Sequence, residues 1–116
     1  MAAVDLDNTH WNLASYRDGT ALRDTPADAE VTLAFQDGRA GGKSACNRYS
    51  SPVTIGDDPL TFGQIVSTRM ACSPPLMEIE ERFQRALELV ATWRIADGTL
   101  ELQDSSGQTL LVFTRA

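Results

Sequence analysis

The chain predicts an α+β domain of antiparallel strands with one amphipathic helix, and three observations carry that expectation. Apolar residues alternate at period two in several short runs. Asp-Gly pairs at 37–38 and 97–98 mark tight hairpin turns between such runs. Only one segment, from about residue 74 to 91, spaces its apolar residues by three and four. Short connections favour antiparallel pairing, because parallel neighbours need a crossover of roughly a dozen residues or more. A lone helix covers one sheet face or plugs the open end of a curved sheet.

The elements follow in order. "THWNLASY" sets Trp11, Leu13 and Ser15 against Asn12 and Ala14 and reads as an edge-like strand. "RDGTALRDTPADAE" is polar and turn-rich, and reads as an irregular connection. "VTLAF" puts Val31, Leu33 and Phe35 on one face. After Asp37-Gly38 a long return strand, "RAGGKSACNRYSSPVTI", carries Gly41 and Gly42, which signal a bulge or a close backbone approach, while Pro52 fits a strand edge or end. "LTFGQIVSTRM" is a further extended piece. In "SPPLMEIEERFQRALELVATW" the residues Leu76, Ile79, Phe83, Leu87 and Val90 form one helical face. Ser73 is placed to cap its first turn, Pro74 suits the first helical position, and Glu78, Glu80 and Glu81 lie toward the positive end of the helix dipole. "TWRIADGTLELQDSSGQTLLVFTR" completes the chain as a three-stranded meander.

Length and composition, with 42% of the chain apolar, fit a single domain spanning residues 1–116 with one core. The net charge of −6 disfavours broad nucleic-acid binding. Its sign is uneven: residues 1–38 and 73–116 carry −5 and −3, whereas 39–72 carry +2 through Arg39, Lys43, Arg48 and Arg69 against Asp57 and Asp58. A weakly basic middle on an acidic body can attract an anionic partner, although scattered solvated arginines are the plainer account. No apolar run approaches the ~20 residues of a transmembrane segment, and "MAAVDLDNTH" contains no secretory apolar core. The expected location is the cell envelope or periplasm if a leader has been removed, and the cytoplasm otherwise.

No catalytic constellation emerges. Zinc needs three or four ligands at short spacings, and here two cysteines without a C-x-x-C pattern accompany one histidine, His10. A catalytic thiol needs a base, and His10 is the sole histidine to supply one. "GGKS" at 41–44 lacks the upstream glycine of a phosphate loop and no helix follows it. Cys46 and Cys72 are then either a disulfide or two packed thiols; the bond would close a loop of about 25 residues, worth on the order of 3 kcal/mol.

"ACNRY", "LTFGQIVSTRMAC", a helix bearing Glu80 and Phe83, and "W…DGTLELQDSSGQTLLVF" together resemble the META domain family, which includes the heat-shock-associated HslJ proteins. The resemblance spans nearly the whole chain, including "WNLASY" and the "VTLAF-DGRAGG" hairpin. It departs from the family at Ala45, where glycine is usual before the cysteine, and at Ser51 and Val53, where G-x-Y is common.

The resemblance implies an antiparallel, partly closed, barrel-like sheet of about seven or eight strands with the helix packed against or into it. It implies a bacterial envelope, lipoprotein or stress-associated domain without established chemistry. It also implies that Cys46 and Cys72 are adjacent, and that an envelope setting would permit their bond. On this reading the domain is a protein-interaction or structural module, not an enzyme, with no catalytic residue, metal or cofactor and with an unidentified protein partner. A carrier of a small hydrophobic ligand or lipid in a half-barrel cavity is the alternative, and a thiol redox protein the third reading. The motif residues Asn47, Tyr49, Phe62, Gly63, Ser67, Thr68 and Met70 are expected to be structural. Asn47 suits a turn, the ring of Tyr49 suits burial with its hydroxyl bonded, and Met70 and Met77 fit core gaps or, less commonly, a greasy pocket.

Overall fold

A computed structural model describes residues 6–57 and 59–116. Residues 1–5, the start of the stretch that contains no secretory apolar core, and Asp58, one acid of the basic middle, lie outside the described residues. The elements are β1 (Thr9–Asp18), β2 (Ala21–Asp24), β3 (Thr32–Gln36), β4 (Arg39–Ser44), β5 (Asn47–Ile55), β6 (Leu60–Phe62), β7 (Val66–Ser67), α1 (Pro74–Leu89), β8 (Thr92–Ala96), β9 (Thr99–Gln103) and β10 (Thr109–Arg115). Eight strands run in the order β6-β5-β4-β3-β1-β10-β9-β8, with β2 attached to β1 and β7 to β5. All the pairings are antiparallel. A bridge from Pro59 to Thr92 and a 3.0 Å bond from Leu60 N to Ala91 O bring the two ends of the sheet together. The result is a nearly closed, barrel-like α+β fold.

Type I′ hairpins explain two of the turns. Asp37 and Gly38 sit at φ 52° and 78°, Asp97 and Gly98 at 53° and 76°, the paired positive φ that Asp-Gly accepts at low cost. The β9–β10 turn is organised by Asp104, whose carboxylate accepts from Ser106 Oγ at 2.7 Å and from the Ser106 and Gln108 amides at 2.9 and 3.0 Å. The Ser106 hydroxyl, then the turn amides, holds that carboxyl below its usual range.

Helix α1 covers the interior through Ile79, Phe83, Ala86 and Leu87. Phe83 meets Tyr49 and Phe113 edge-on at centroid distances of 5.4 and 6.3 Å, within the range of favourable aromatic pairs. Trp11, Leu33, Phe35, Leu60, Leu100, Leu102, Leu111 and Phe113 fill the space beneath it, each almost fully buried. Trp93, also buried, donates its indole N–H to Gly56 O at 3.0 Å.

Several expectations need correction. β1 is central, not an edge, lying between β3 and β10. A bulge between Leu13 and Ser15 shifts the alternation, so that Tyr16 rather than Ser15 turns inward. The supposed irregular connection contains β2, which pairs back onto residues 15–18 of β1 around positive-φ Gly19. Ser73 occupies the N-cap, but its side chain makes no capping bond; its carbonyl accepts from Met77 N at 3.0 Å. No acidic residue lies in the first helical turn, so the dipole does not explain Glu80.

The long return strand is in fact β4 and β5, folded back at Ala45-Cys46 with Ser44 paired to Asn47. The close approach at its glycines is real: a Cβ on Gly41 would lie 2.7 Å from Tyr49 O, and one on Gly42 2.5 Å from Thr32 O. Ala45 stands at φ 75°, the first-position geometry of a II′-type turn, which favours glycine. This is the position at which the family resemblance expects glycine. Holding alanine in the left-handed region costs roughly 1–2 kcal/mol. The expected outcome is therefore that Ala45→Gly raises stability by about 1 kcal/mol in equilibrium urea unfolding; unchanged or lower stability would contradict a strained turn.

Candidate functional site

The motif residues of β5 and of the segment after β6 converge beside α1. Asn47, 2% exposed, opens β5 immediately after the Ala45-Cys46 turn. Its side chain is bonded on every side. Asn47 Oδ1 accepts from Met70 N at 2.6 Å and from Thr68 Oγ1 at 2.9 Å. Asn47 Nδ2 donates to Glu80 Oε2 at 2.8 Å and to Met70 O at 3.2 Å. Because Met70 presents one donor and one acceptor of fixed identity, the orientation of the carboxamide is determined.

Glu80 supplies the other half of the clip. Its Oε1 accepts from the Asn47 backbone N–H at 2.7 Å and from Ser44 Oγ at 2.9 Å. Gln84 Nε2 lies 3.3 Å from the same Ser44 hydroxyl. One helical carboxylate thus reaches the hairpin turn and the asparagine together, through charge-assisted bonds stronger than neutral ones. The family resemblance marked Glu80 as a motif position, but its role was not legible from the sequence, where surface glutamates of a helix look alike.

Cys46 and Cys72 form a disulfide with an S–S distance of 2.02 Å and Cα atoms 6.0 Å apart. The bond ties the β4–β5 turn to the end of the same segment that Asn47 holds at Met70. Cys46 is 5% exposed and Cys72 half-buried. Among the described residues there is no free cysteine and no group of three His, Cys, Asp or Glu side chains suited to a metal ion. His10 is exposed, on the outer side of β1.

The remaining motif residues serve the same construction. The Tyr49 hydroxyl donates to Thr32 O at 2.7 Å, and burial pushes its phenol far above the ordinary range. Phe62, half-buried, packs 6.4 Å from Phe35. Gly63 N donates to Pro52 O at 2.8 Å, and a Cβ at this glycine would meet the proline ring at 2.8 Å. Ser67 pairs with Tyr49 across β7 and β5. Thr68 N donates to Arg48 O at 3.0 Å while its hydroxyl accepts from Arg48 N at 3.2 Å. Met70 and Met77 fill no core gap: they are 60% and 39% exposed, and Val66 is 60% exposed. With Thr68, Arg69 and the outer face of α1, the two methionines line an open groove of about 850 Å³.

This architecture is that of a small, barrel-like α+β domain with one helix among the described residues, in which inward-turned polar side chains brace one exposed segment. The chain belongs to the META domain family, whose model matches residues 4–116. It is similar to a protein from Burkholderia xenovorans solved by NMR, at 30% identity and a TM-score of 0.81, over 99% of this chain and 86% of that one. A second NMR structure, 23% identical, shares the fold at a TM-score of 0.73, over 99% of this chain and 95% of that one. No curated protein matches.

Removing one partner of a buried, fully bonded network leaves the others unsatisfied, at about 1–3 kcal/mol for each. Asn47→Ala is expected to cost about 3 kcal/mol on that scale, and Glu80→Gln, which sets a donor against a donor, about 1–3 kcal/mol. The double variant should cost clearly less than the sum, because both act on one network. Urea unfolding of the four proteins checks this, and strict additivity would dissolve the proposed coupling.

Proposed function

We propose that the domain is a non-enzymatic interaction module of the bacterial cell envelope, of the HslJ-like kind, that engages a protein partner through the segment braced by Asn47 and the disulfide. The observation that carries this reading is where the motif's bonding capacity goes. The Asn47 carboxamide spends its donors and acceptors on Glu80, Thr68 and Met70, and both sulfurs are tied to each other. Little is left for chemistry on a substrate, while the exposed product is a methionine ridge, Met70 and Met77, lining one open groove. Methionine is over-used on adaptable binding surfaces because its flexible thioether repacks against varied partners.

An envelope location accords with the disulfide, since such bonds persist in oxidising compartments. No helix among the described residues is long and apolar enough to cross a membrane. The filled interior beneath α1 favours a surface interaction over carriage of a hydrophobic ligand. A photo-crosslinking side chain placed at Met70 in cells should give a discrete protein adduct, whereas the same group at exposed Leu89 should not. Absence of any Met70-specific adduct, or a protein found only in the cytoplasm with two alkylatable thiols, would refute the reading.

A further inference from the structure

The sheet carries a second surface feature, independent of the methionine ridge. On the outer face of β1, β3, β4 and β5 the register aligns His10, Ala34, Gly41 and Ser50 in one row across the strands. Arg39 stands on one side of this row, across from Gln36 and Pro52. On the other side Lys43 faces Arg48. Positions 39 and 43 are four residues apart on one strand, so the two banks are separated by roughly 13 Å. Small side chains on the floor and long ones on the banks make an open trench of about 700 Å³.

Two of the three basic side chains on the banks have no ion pair among the described residues. The ion pairs of the described residues engage Arg23, Lys43, Arg82, Arg85 and Arg94. Arg48 has no carboxylate in that set, and Arg39 makes only a 3.5 Å contact with Ser50 Oγ. Asp37, at the β3–β4 turn, is the acidic side chain among the lining residues, and Ala116, the last residue, lines the trench beside His10. The basic middle seen in the sequence is thus folded, through Arg39 and Arg48, into the banks of one concavity on a chain of net charge −6.

We infer that this trench binds an extended acidic peptide segment of a partner, with carboxylates received by Arg39 and Arg48. The arginine fork matches a carboxylate in two parallel bonds. A short segment is favoured over a large polyanion by the rest of the molecule, since an acidic body repels an anionic membrane or a nucleic acid. Stable adsorption to anionic lipid draws on clusters of about four to eight basic residues, and the trench offers two free arginines. Gly41 has a structural duty as well, so the two arginines, not the glycine, are the residues to vary.

The test is an amide chemical-shift titration of the whole chain with a capped octaglutamate peptide, with a capped octaglutamine peptide as control. Saturable shifts at Ala34, Gly41 and Ser50, seen with octaglutamate alone and weakening as salt rises, are expected. The variant Arg39→Ala/Arg48→Ala, whose changes lie on exposed side chains, should keep a dispersed spectrum and bind at least fivefold more weakly. Arg69→Ala/Arg94→Ala, away from the trench, should bind as the parent does. Unsaturated shifts at millimolar peptide, or full binding by the trench variant, would overturn the inference. So would binding of phosphatidylglycerol vesicles, lost in the trench variant, without binding of the peptide. None of these outcomes bears on crosslinking at Met70.

Discussion

The fold's organisation depends on a single buried carboxamide. Asn47 stands where a hairpin turn, an irregular segment and the only helix of the described residues meet, and its bonds are the means by which each senses the others. Few residues could replace it. Aspartate would set a carboxylate oxygen against both Glu80 and the Met70 carbonyl, and serine could not span donor and acceptor together. Buried polar networks of this kind reward full satisfaction and penalise partial satisfaction severely. The network therefore specifies one position of α1 on the sheet more sharply than apolar packing alone.

The disulfide acts on the same segment from its other end. Between Ser67 and Ser73 the chain has no regular secondary structure, so its backbone groups rely on borrowed partners. Asn47 serves Met70, Arg48 serves Thr68, and Cys46 anchors Cys72. With the backbone so fixed, the side chains of Val66, Met70 and Met77 are free to face outward. The inward turn of the polar residues and the outward turn of the apolar ones are two sides of one arrangement, and the proposed role in binding rests on it.

Much of the architecture was legible because local chemistry decided it. The Asp-Gly pairs dictate positive φ whatever surrounds them, and the spacing of Ile79, Phe83 and Leu87 survives because α1 has one buried face. What stayed hidden was non-local. The bulge that turns Tyr16 inward follows from pairing with β10, nearly a hundred residues away in sequence. β2 is exposed at all four positions and so has no apolar alternation to announce it. The Ala45-Cys46 turn lacks the glycine that would have signalled a break between β4 and β5. Glu80 is the sharpest case: its neighbours Glu78 and Glu81 make ordinary i,i+4 pairs with Arg82 and Arg85, whereas Glu80 alone faces a buried asparagine. The family resemblance singles out the position, but only the fold shows what it does.

Native-state hydrogen exchange, read residue by residue, tests the central claim most directly. If the carboxamide holds the segment, the Met70 amide exchanges only through large openings of the parent protein. In Asn47→Ala the protection of Met70 and Thr68 should collapse well beyond the roughly hundredfold fall that a global loss of about 3 kcal/mol imposes on the amides of β9 and β10. A Met70 amide that exchanges freely in the parent, or that stays as protected in the variant as β9, would contradict the account.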